Sequence, residues 1–233
     1  MDQPLPPINI AIDGPAGAGK STVARMVAKQ LQYIYVDTGA MYRAVALQAM
    51  NNGVDADDEA GVANLARKMD IQLIPGSDGQ RILVDGADVT RDIRSLAVSR
   101  QVARYAAIAD VRRLMAQLQR GMAARKGVVM DGRDIGTQVL PDAELKIYLT
   151  ASVQERAARR YKELGDHPNV TLEQLEADIA ERDRQDRQRA VSPLRQASDA
   201  KRIDSTGRSA EDVAQEIAQM ATAIARTILA GEK

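Results

Sequence analysis

The sequence predicts an α/β protein built on a parallel sheet, and three observations carry that prediction. Short apolar runs alternate with stretches of helical periodicity, the pattern of strands joined by helices. The first run, Ile8–Ile12, leads straight into Gly14-Pro15-Ala16-Gly17-Ala18-Gly19-Lys20-Ser21-Thr22. After that segment, Val23, Met26, Val27 and Leu31 recur at helical spacing. A strand, a glycine loop and a helix in this order are the context that makes G-x-x-x-x-G-K-S a phosphate-binding loop. The glycines let backbone N–H groups turn inward around phosphate oxygens, and the helix N-terminus adds the positive end of its dipole. Lys20 is expected on the β- and γ-phosphates and the Ser21 hydroxyl on Mg²⁺. Gly14 to Thr22 is therefore expected to hold a nucleoside triphosphate.

Composition narrows the class further. With 233 residues the chain can form one α/β domain with an insertion or two small domains. Lys+Arg and Asp+Glu both number 32, so no global charge draws the protein to nucleic acid or to a membrane surface. Aromatics are 3%, with no Trp or Phe, which argues against a base-stacking surface. The absence of cysteine excludes disulfides and thiolate metal sites and is compatible with a reducing compartment. Met1–Pro7 is a short polar, proline-rich lead without the features of a signal peptide. No apolar run approaches the ~20 residues that span a bilayer. These features describe a soluble, cytoplasmic protein.

Taken in order, Tyr33–Val36 reads as a second strand, ending at Asp37-Thr38-Gly39-Ala40, and a helix is expected from about Met41 to the stop signal Asn51-Asn52-Gly53. Polar groups at the carboxyl end of a strand in an open α/β sheet lie where ligands bind. Thr38 and Arg43 are thus either contacts for a second substrate or a helix cap and a surface arginine. Asp55–Arg67 is helix-like. Ile71–Ile74, Arg81–Val84 and Ala87–Thr90, separated by turn clusters, form an antiparallel meander, which a parallel-sheet protein accommodates as an insertion. A helical region follows from Ser95 to about Arg125, broken near Ala107–Asp110, with Arg94, Arg100, Arg104 and Arg112 along it.

Gly127–Met130 is a buried strand that runs into Asp131-Gly132-Arg133-Asp134-Ile135-Gly136-Thr137. Asp131 sits where a strand-end carboxylate helps to hold Mg²⁺ through water. Arg133 can fork onto phosphate, and Asp134 can accept hydrogen bonds from a base or sugar; the alternative is a local ion pair at a turn. Leu145–Leu149 is the next strand. Ser152-Val153-Gln154-Glu155 is a capping box opening a helix with Arg156, Arg159 and Arg160, and Thr171-Leu172-Glu173-Gln174 opens another. The sole histidine, His167, lies in the polar turn between them and is expected at the surface. In the charged run Glu181–Arg189, i,i+4 ion pairs alone explain a solvated helix. Arg182, Asp186 and Arg189 nevertheless share one stripe, and Arg156 and Arg160 another, so the two helices also describe a basic clamp over a phosphate. Lys201–Thr206 is a short last strand, and Ser209 caps a terminal helix with Val213, Ile217, Met220, Ile224 and Ile228 on its core face.

Together these elements predict a five-stranded parallel sheet of P-loop type, flanked by helices, with one inserted α+β piece and one arginine-bearing helical cap. Phosphoryl transfer asks a protein for in-line positioning and charge neutralisation. A phosphate acceptor is already anionic near neutral pH and needs no general base, which agrees with the lack of a usable histidine. A lid that closes keeps water out.

The phrases Ile12–Thr22, Asp37-Thr38-Gly39-Ala40-Met41-Tyr42-Arg43, Asp131–Thr137 and Glu181-Arg182-Asp183…Asp186-Arg187…Arg189-Ala190…Pro193-Leu194 resemble the bacterial cytidylate kinases. The similarity runs from the first strand to Ile203-Asp204-Ser205-Thr206. It implies transfer of the ATP γ-phosphate to CMP or dCMP with Mg²⁺, by a monomer. It also implies a core at residues 1–62, 105–160 and 191–233, a nucleoside-monophosphate insert at 63–104 and a lid at 161–190. The acceptor nucleotide would be held by Thr38, Arg43, Arg112, Arg133, Asp134, Arg182, Asp186 and Arg189. ATP would lie on Gly14–Thr22 with Arg156 and Arg160. Lys20, Arg133, Arg182 and Arg189 would neutralise the transferring group. Mg²⁺ would take Ser21, with Asp37 or Asp131 through water. The family often has serine where Thr38 stands, and the hydroxyl is kept. One departure lies in the insert: the family usually has a serine nine residues before Arg112, where this chain has Ala103. Since that serine is expected to help read cytosine, Arg104 and Asp110 are candidates to take its place.

Two rival functions fit the phosphate loop. One is another small-molecule kinase, acting on a different nucleoside monophosphate or on a metabolite hydroxyl with Asp37 as base. The other is a regulatory NTPase, against which the even charge and scarce aromatics count.

Overall fold

The computed structural model of the chain describes residues 4–76, 79–164 and 170–231. In chain order its elements are β1 (Asn9–Asp13), α1 (Lys20–Leu31), β2 (Ile34–Asp37), α2 (Thr38–Asn51), α3 (Glu59–Lys68), β3 (Ile71–Gly76), β4 (Gly79–Val84), β5 (Ala87–Asp88), α4 (Leu96–Ala107), α5 (Ala109–Ala123), β6 (Val128–Gly132), β7 (Leu145–Thr150), α6 (Val153–Leu164), α7 (Leu172–Gln188), β8 (Lys201–Asp204) and α8 (Ala210–Leu229). The chain divides into two compact units: Met1–Tyr35, Arg125–Gln188 and Ser192–Lys233 form one, and Val36–Ala124 with Arg189–Val191 the other.

The first unit carries the parallel sheet, in the order β2-β6-β1-β7-β8. β1 is central, pairing with β6 on one side and β7 on the other, and all five of its residues are buried. That position explains why Ile8–Ile12 is apolar at every residue but Asn9, which is itself buried: helices cover both faces of such a strand. Ile10, Ile12, Ile147, Leu149 and Ile203 of the sheet pack with Val23 and Val27 of α1 and with Val213 and Ile217 of α8. The register sets Ile12 beside Asp131 and Asp13 beside both Gly132 and Tyr148. The acidic ends of β1 and β6 therefore reach the carboxyl edge of the sheet together, at the glycine loop. Of the two expected capping boxes, Thr171 and Gln174 form the reciprocal pair at 3.1 and 3.2 Å, whereas Ser152 Oγ accepts Glu155 N–H at 3.1 Å but the Ser152 N–H donates to Thr206 Oγ1 at 3.0 Å instead of to Glu155. The turn Gly165–Pro168, with His167, lies outside the described residues.

The second unit joins α2, α3, α4 and α5 to the antiparallel meander β3-β4-β5. Met41 and Val45 of α2 pack with Val62, Val98, Val102 and Met115, while Ile82 and Val84 of the meander pack with Ala40, Ala44 and Ile93. Because α2 and α5 supply part of this core, the unit is wider than the 63–104 stretch. Some expected boundaries shift. α2 starts at Thr38, not near Met41, because the Asp37 carboxylate accepts Ala40 N–H at 2.9 Å and caps it there. The helix expected over Asp55–Arg67 begins only at Glu59. Asp55 and Asp58 each accept a nearby amide at 2.9 Å, which turns the chain before the helix and then caps it. The expected break near Ala107–Asp110 falls at Ile108, whose φ and ψ of −63° and 120° are extended.

Candidate functional site

The phosphate loop links β1 to α1, and its conformation needs its glycines. Gly14, Gly17 and Gly19 have φ of 150°, 75° and 86°, a region closed to most side chains. A Cβ on Gly14 would stand 1.9 Å from the Leu149 carbonyl oxygen. Lys20, the first residue of α1, is 5% exposed, and its ammonium donates to the Pro15 carbonyl at 2.7 Å across the loop. Burial, with Arg133 nearby, lowers its pKa to about 7, against the opposing pull of Asp131, Asp186 and Asp13. Ser21 Oγ donates to Asp131 Oδ2 at 2.9 Å, while Asp131 Oδ1 accepts from Tyr35 at 2.8 Å. A hydroxyl and a strand-end carboxylate side by side form a hard-oxygen donor pair that suits Mg²⁺, which binds few protein ligands and completes its shell with phosphates and water. No group of three or more His, Cys, Asp or Glu able to hold a metal occurs among the described residues.

Asp13 closes the base of this site. Its two carboxylate oxygens accept the amides of Ile135 and Gly136 at 2.8 and 2.7 Å. Burial raises its pKa to about 6; those two amides and Lys20 pull the other way, while Asp134 adds to the rise. Asp13 thereby ties β1 to the segment that follows Arg133 and Asp134. Arg133 Nε donates to Asp186 Oδ2 of α7 at 2.7 Å. Asp134 and Asp186 are buried, and Arg182 is half-buried. Burial weighs against the Arg133 charge, but Asp186 outweighs it and holds the pKa above the ordinary value. The first unit thus brings together Gly14–Thr22, Asp131, Arg133, Asp134, Arg182 and Asp186.

Two expected ATP contacts are placed otherwise. Arg156 is 3% exposed; it forks onto Asp183 at 3.0 and 2.7 Å and donates to the Ala16 and Ala151 carbonyls at 3.0 Å. Arg160 is half-buried and pairs with Glu163 at 3.1 Å. Arg159, Asp183 and Asp13 are not among the site residues expected from the sequence. Asp13 was findable: it is the last residue of the strand and the neighbour of Gly14.

In the second unit, Thr38 is buried in the first turn of α2, and Arg43 donates to Ser99 Oγ of α4 at 2.9 Å. Arg112 is buried, donates to the Ala106 carbonyl at 3.0 Å and stands 5.1 Å from the Tyr42 ring centroid, a cation–π distance. Arg189 belongs to this unit. Asp37 caps α2 and lies 3.8 Å from Arg94. The two candidates to replace the hydroxyl missing at Ala103 are engaged elsewhere: Arg104 with Asp55 and Asp57 at 3.0 and 2.8 Å, Asp110 with Arg67 at 3.0 Å and with Arg113. Ser99 lies one helical turn before Ala103, on the same face of α4.

Known proteins match this chain along nearly its whole length. A family model described as cytidylate kinase matches residues 10–223. A cytidylate kinase of Pediococcus pentosaceus is 52% identical over 209 residues, 89% of this chain and 92% of that one. A cytidylate kinase of Bacillus subtilis is 52% identical over 211 residues, 90% of this chain and 94% of that one. Among solved structures, a gluconokinase from Sinorhizobium meliloti covers 99% of this chain and all of its own, with a TM-score of 0.52 at 13% identity, a likeness of fold. With the family model spanning residues 10–223 and relatives of 52% identity aligned over about 90% of its length, the chain belongs to the cytidylate kinase family.

Proposed function

We propose that this protein transfers the γ-phosphoryl group of ATP to CMP or dCMP, giving the nucleoside diphosphate and ADP. One observation carries the reading: the phosphate loop, the Ser21–Asp131 pair and the half-buried Arg133–Asp186 pair occur in one compact unit. The donor's phosphates lie on the inward N–H groups of Gly14–Thr22, with Lys20 on the β- and γ-oxygens. Ser21 and its partner Asp131 are the residues that would hold Mg²⁺. When bound, Mg²⁺ neutralises charge on the phosphate oxygens during transfer. Arg133 and Arg182 of this unit neutralise the transferring group. Asp186 holds Arg133 in place, so its guanidinium is oriented before substrate arrives.

The acceptor's phosphate is the nucleophile. As an anion it needs no proton removed, and none of these groups is assigned as a base. Thr38, Arg43 and Arg112 are the acceptor-nucleotide candidates of the second unit, and Asp134 and Asp186 those of the first. Ser99 supports this role for Arg43 by fixing its guanidinium. Arg156 and Arg160 are left out of the ATP site, since their partners lie in α6, α7 and the loop backbone. Among the described residues no helix is long and apolar enough to cross a membrane.

An acceptor panel tests this. With ATP and Mg²⁺, ADP should form rapidly only on addition of CMP or dCMP. Equal ADP formation without any acceptor would mark an NTPase, and preference for AMP, UMP or a sugar would mark another kinase.

A further inference from the structure

Helix α6 packs against the outer side of the phosphate loop. A Cβ built on Gly17 would lie 3.2 Å from Arg156 Cβ, and one on Gly19 would lie 3.4 Å from Arg159 Nη1. These two arginines are three residues apart and so share a face of the helix. They reach alternate carbonyls of the loop: Arg156 Nη1 donates to Ala16 O at 3.0 Å, and Arg159 Nη1 to Ala18 O at 3.4 Å.

Each arginine is braced from behind. Arg156 is forked onto Asp183 of α7, and Arg159 donates to the Ser205 carbonyl at 2.8 Å and to Glu155 at 3.0 Å. Ser205 Oγ stands 3.2 Å from the same Ala18 oxygen. No described peptide bond is cis. In a trans peptide the C=O of one residue and the N–H of the next point in opposite directions. Holding the Ala16 and Ala18 oxygens outward therefore turns the Gly17 and Gly19 N–H groups inward.

We infer that Arg156 and Arg159 are positioning residues for the donor nucleotide, which hold the phosphate loop in its anion-binding shape from the side opposite the phosphates. The inference rests on the reading of Gly14–Thr22 as the ATP site. The loop has φ > 0 at three glycines, and a free chain would leave that conformation readily. Bracing it in advance removes an ordering cost from binding. Asp183 belongs to the same device, one step further from the ligand.

Arg159→Gln, Arg156→Lys and Asp183→Asn test this, through equilibrium binding of ATP, ADP and inorganic tripolyphosphate, with KM for ATP and CMP and thermal melting alongside. Losing one charged bond to the loop should weaken all three ligands by a similar factor, about tenfold. KM for CMP should stay within about twofold and kcat should be kept. A loss for ATP alone would instead place the arginines on the γ-phosphate. A loss for both nucleotides but not tripolyphosphate would place them on base or sugar. A lowered melting temperature with unchanged binding would make them structural only; each of these three results overturns the inference. Arg159 is part-exposed, so its variant decides the matter if the Arg156 or Asp183 variant does not fold. Absence of ATP and tripolyphosphate binding in the unaltered protein would overturn the reading of the loop itself.

Discussion

The Ser21 hydroxyl donates to the Asp131 carboxylate at 2.9 Å, joining the first turn of α1 to the end of β6 across 110 residues of chain. That bond aims the Ser21 oxygen, and the same carboxylate is steadied by Tyr35. Partners behind a metal ligand typically contribute 10- to 100-fold in metal affinity or activity. Asp131→Asn should therefore raise the Mg²⁺ concentration for half-maximal turnover by roughly 10-fold or more. A Mg²⁺ titration at fixed ATP measures it, and an unmoved midpoint would remove Asp131 from the metal site.

Gly14 is the least replaceable glycine of the loop. Its Cβ would overlap a backbone oxygen of β7, which cannot move without breaking the sheet. Gly14→Ala should destabilise the protein by at least about 3 kcal/mol. Gly86→Ala is the control: its φ is 82° but nothing lies within 4 Å, so only the left-handed conformation is penalised, about 1 kcal/mol. Denaturant unfolding of the two variants should differ accordingly.

Asp13 gives stability a pH dependence. Its folded pKa, about 6, is above the ordinary 3.8, so the folded state binds the proton more tightly than the unfolded chain. The stabilisation from this group is complete below 3.8 and is lost as pH rises to about 6. Asp13→Asn should remove that part of the pH slope, so the stability of the unaltered protein relative to the variant should fall across the window and level off above it. Parallel stability curves from pH 4 to 7 would show that Asp13 titrates normally.

The Arg43–Ser99 bond separates the two substrates kinetically. Without the hydroxyl, the Arg43 guanidinium loses this bond, a net loss of about 1 kcal/mol. Ser99→Ala should raise KM for CMP about fivefold and leave KM for ATP unchanged. A rise in both, or in ATP alone, would place Ser99 outside the acceptor site.

Much of this protein was legible along the chain because the governing signals are local. A glycine loop between an apolar run and a helical period, serine and threonine caps, and Gly- and Asp-rich turns all act within a few residues. They were enough for the parallel sheet, the meander and the phosphate loop, and the phrases around Thr38, Arg133 and Arg182 were enough for the family. The boundaries that moved, at Thr38 and Glu59, moved because aspartate side chains capped helices at positions that apolar periodicity does not mark.

What the arginines do was decided only by the tertiary structure. In sequence Arg156 and Arg160 form one stripe that reads as a pair of ATP contacts, with Arg159 a further charge on the same helix. Folding buries Arg156 against Asp183 and the phosphate loop, sets Arg159 on Ser205 and leaves Arg160 beside Glu163. An arginine's role depends on which acceptor meets its fork, and here the loop carbonyls are some 140 residues away. The sequence by itself determined that there is a phosphate loop; the packing of α6 behind it decided how that loop is held.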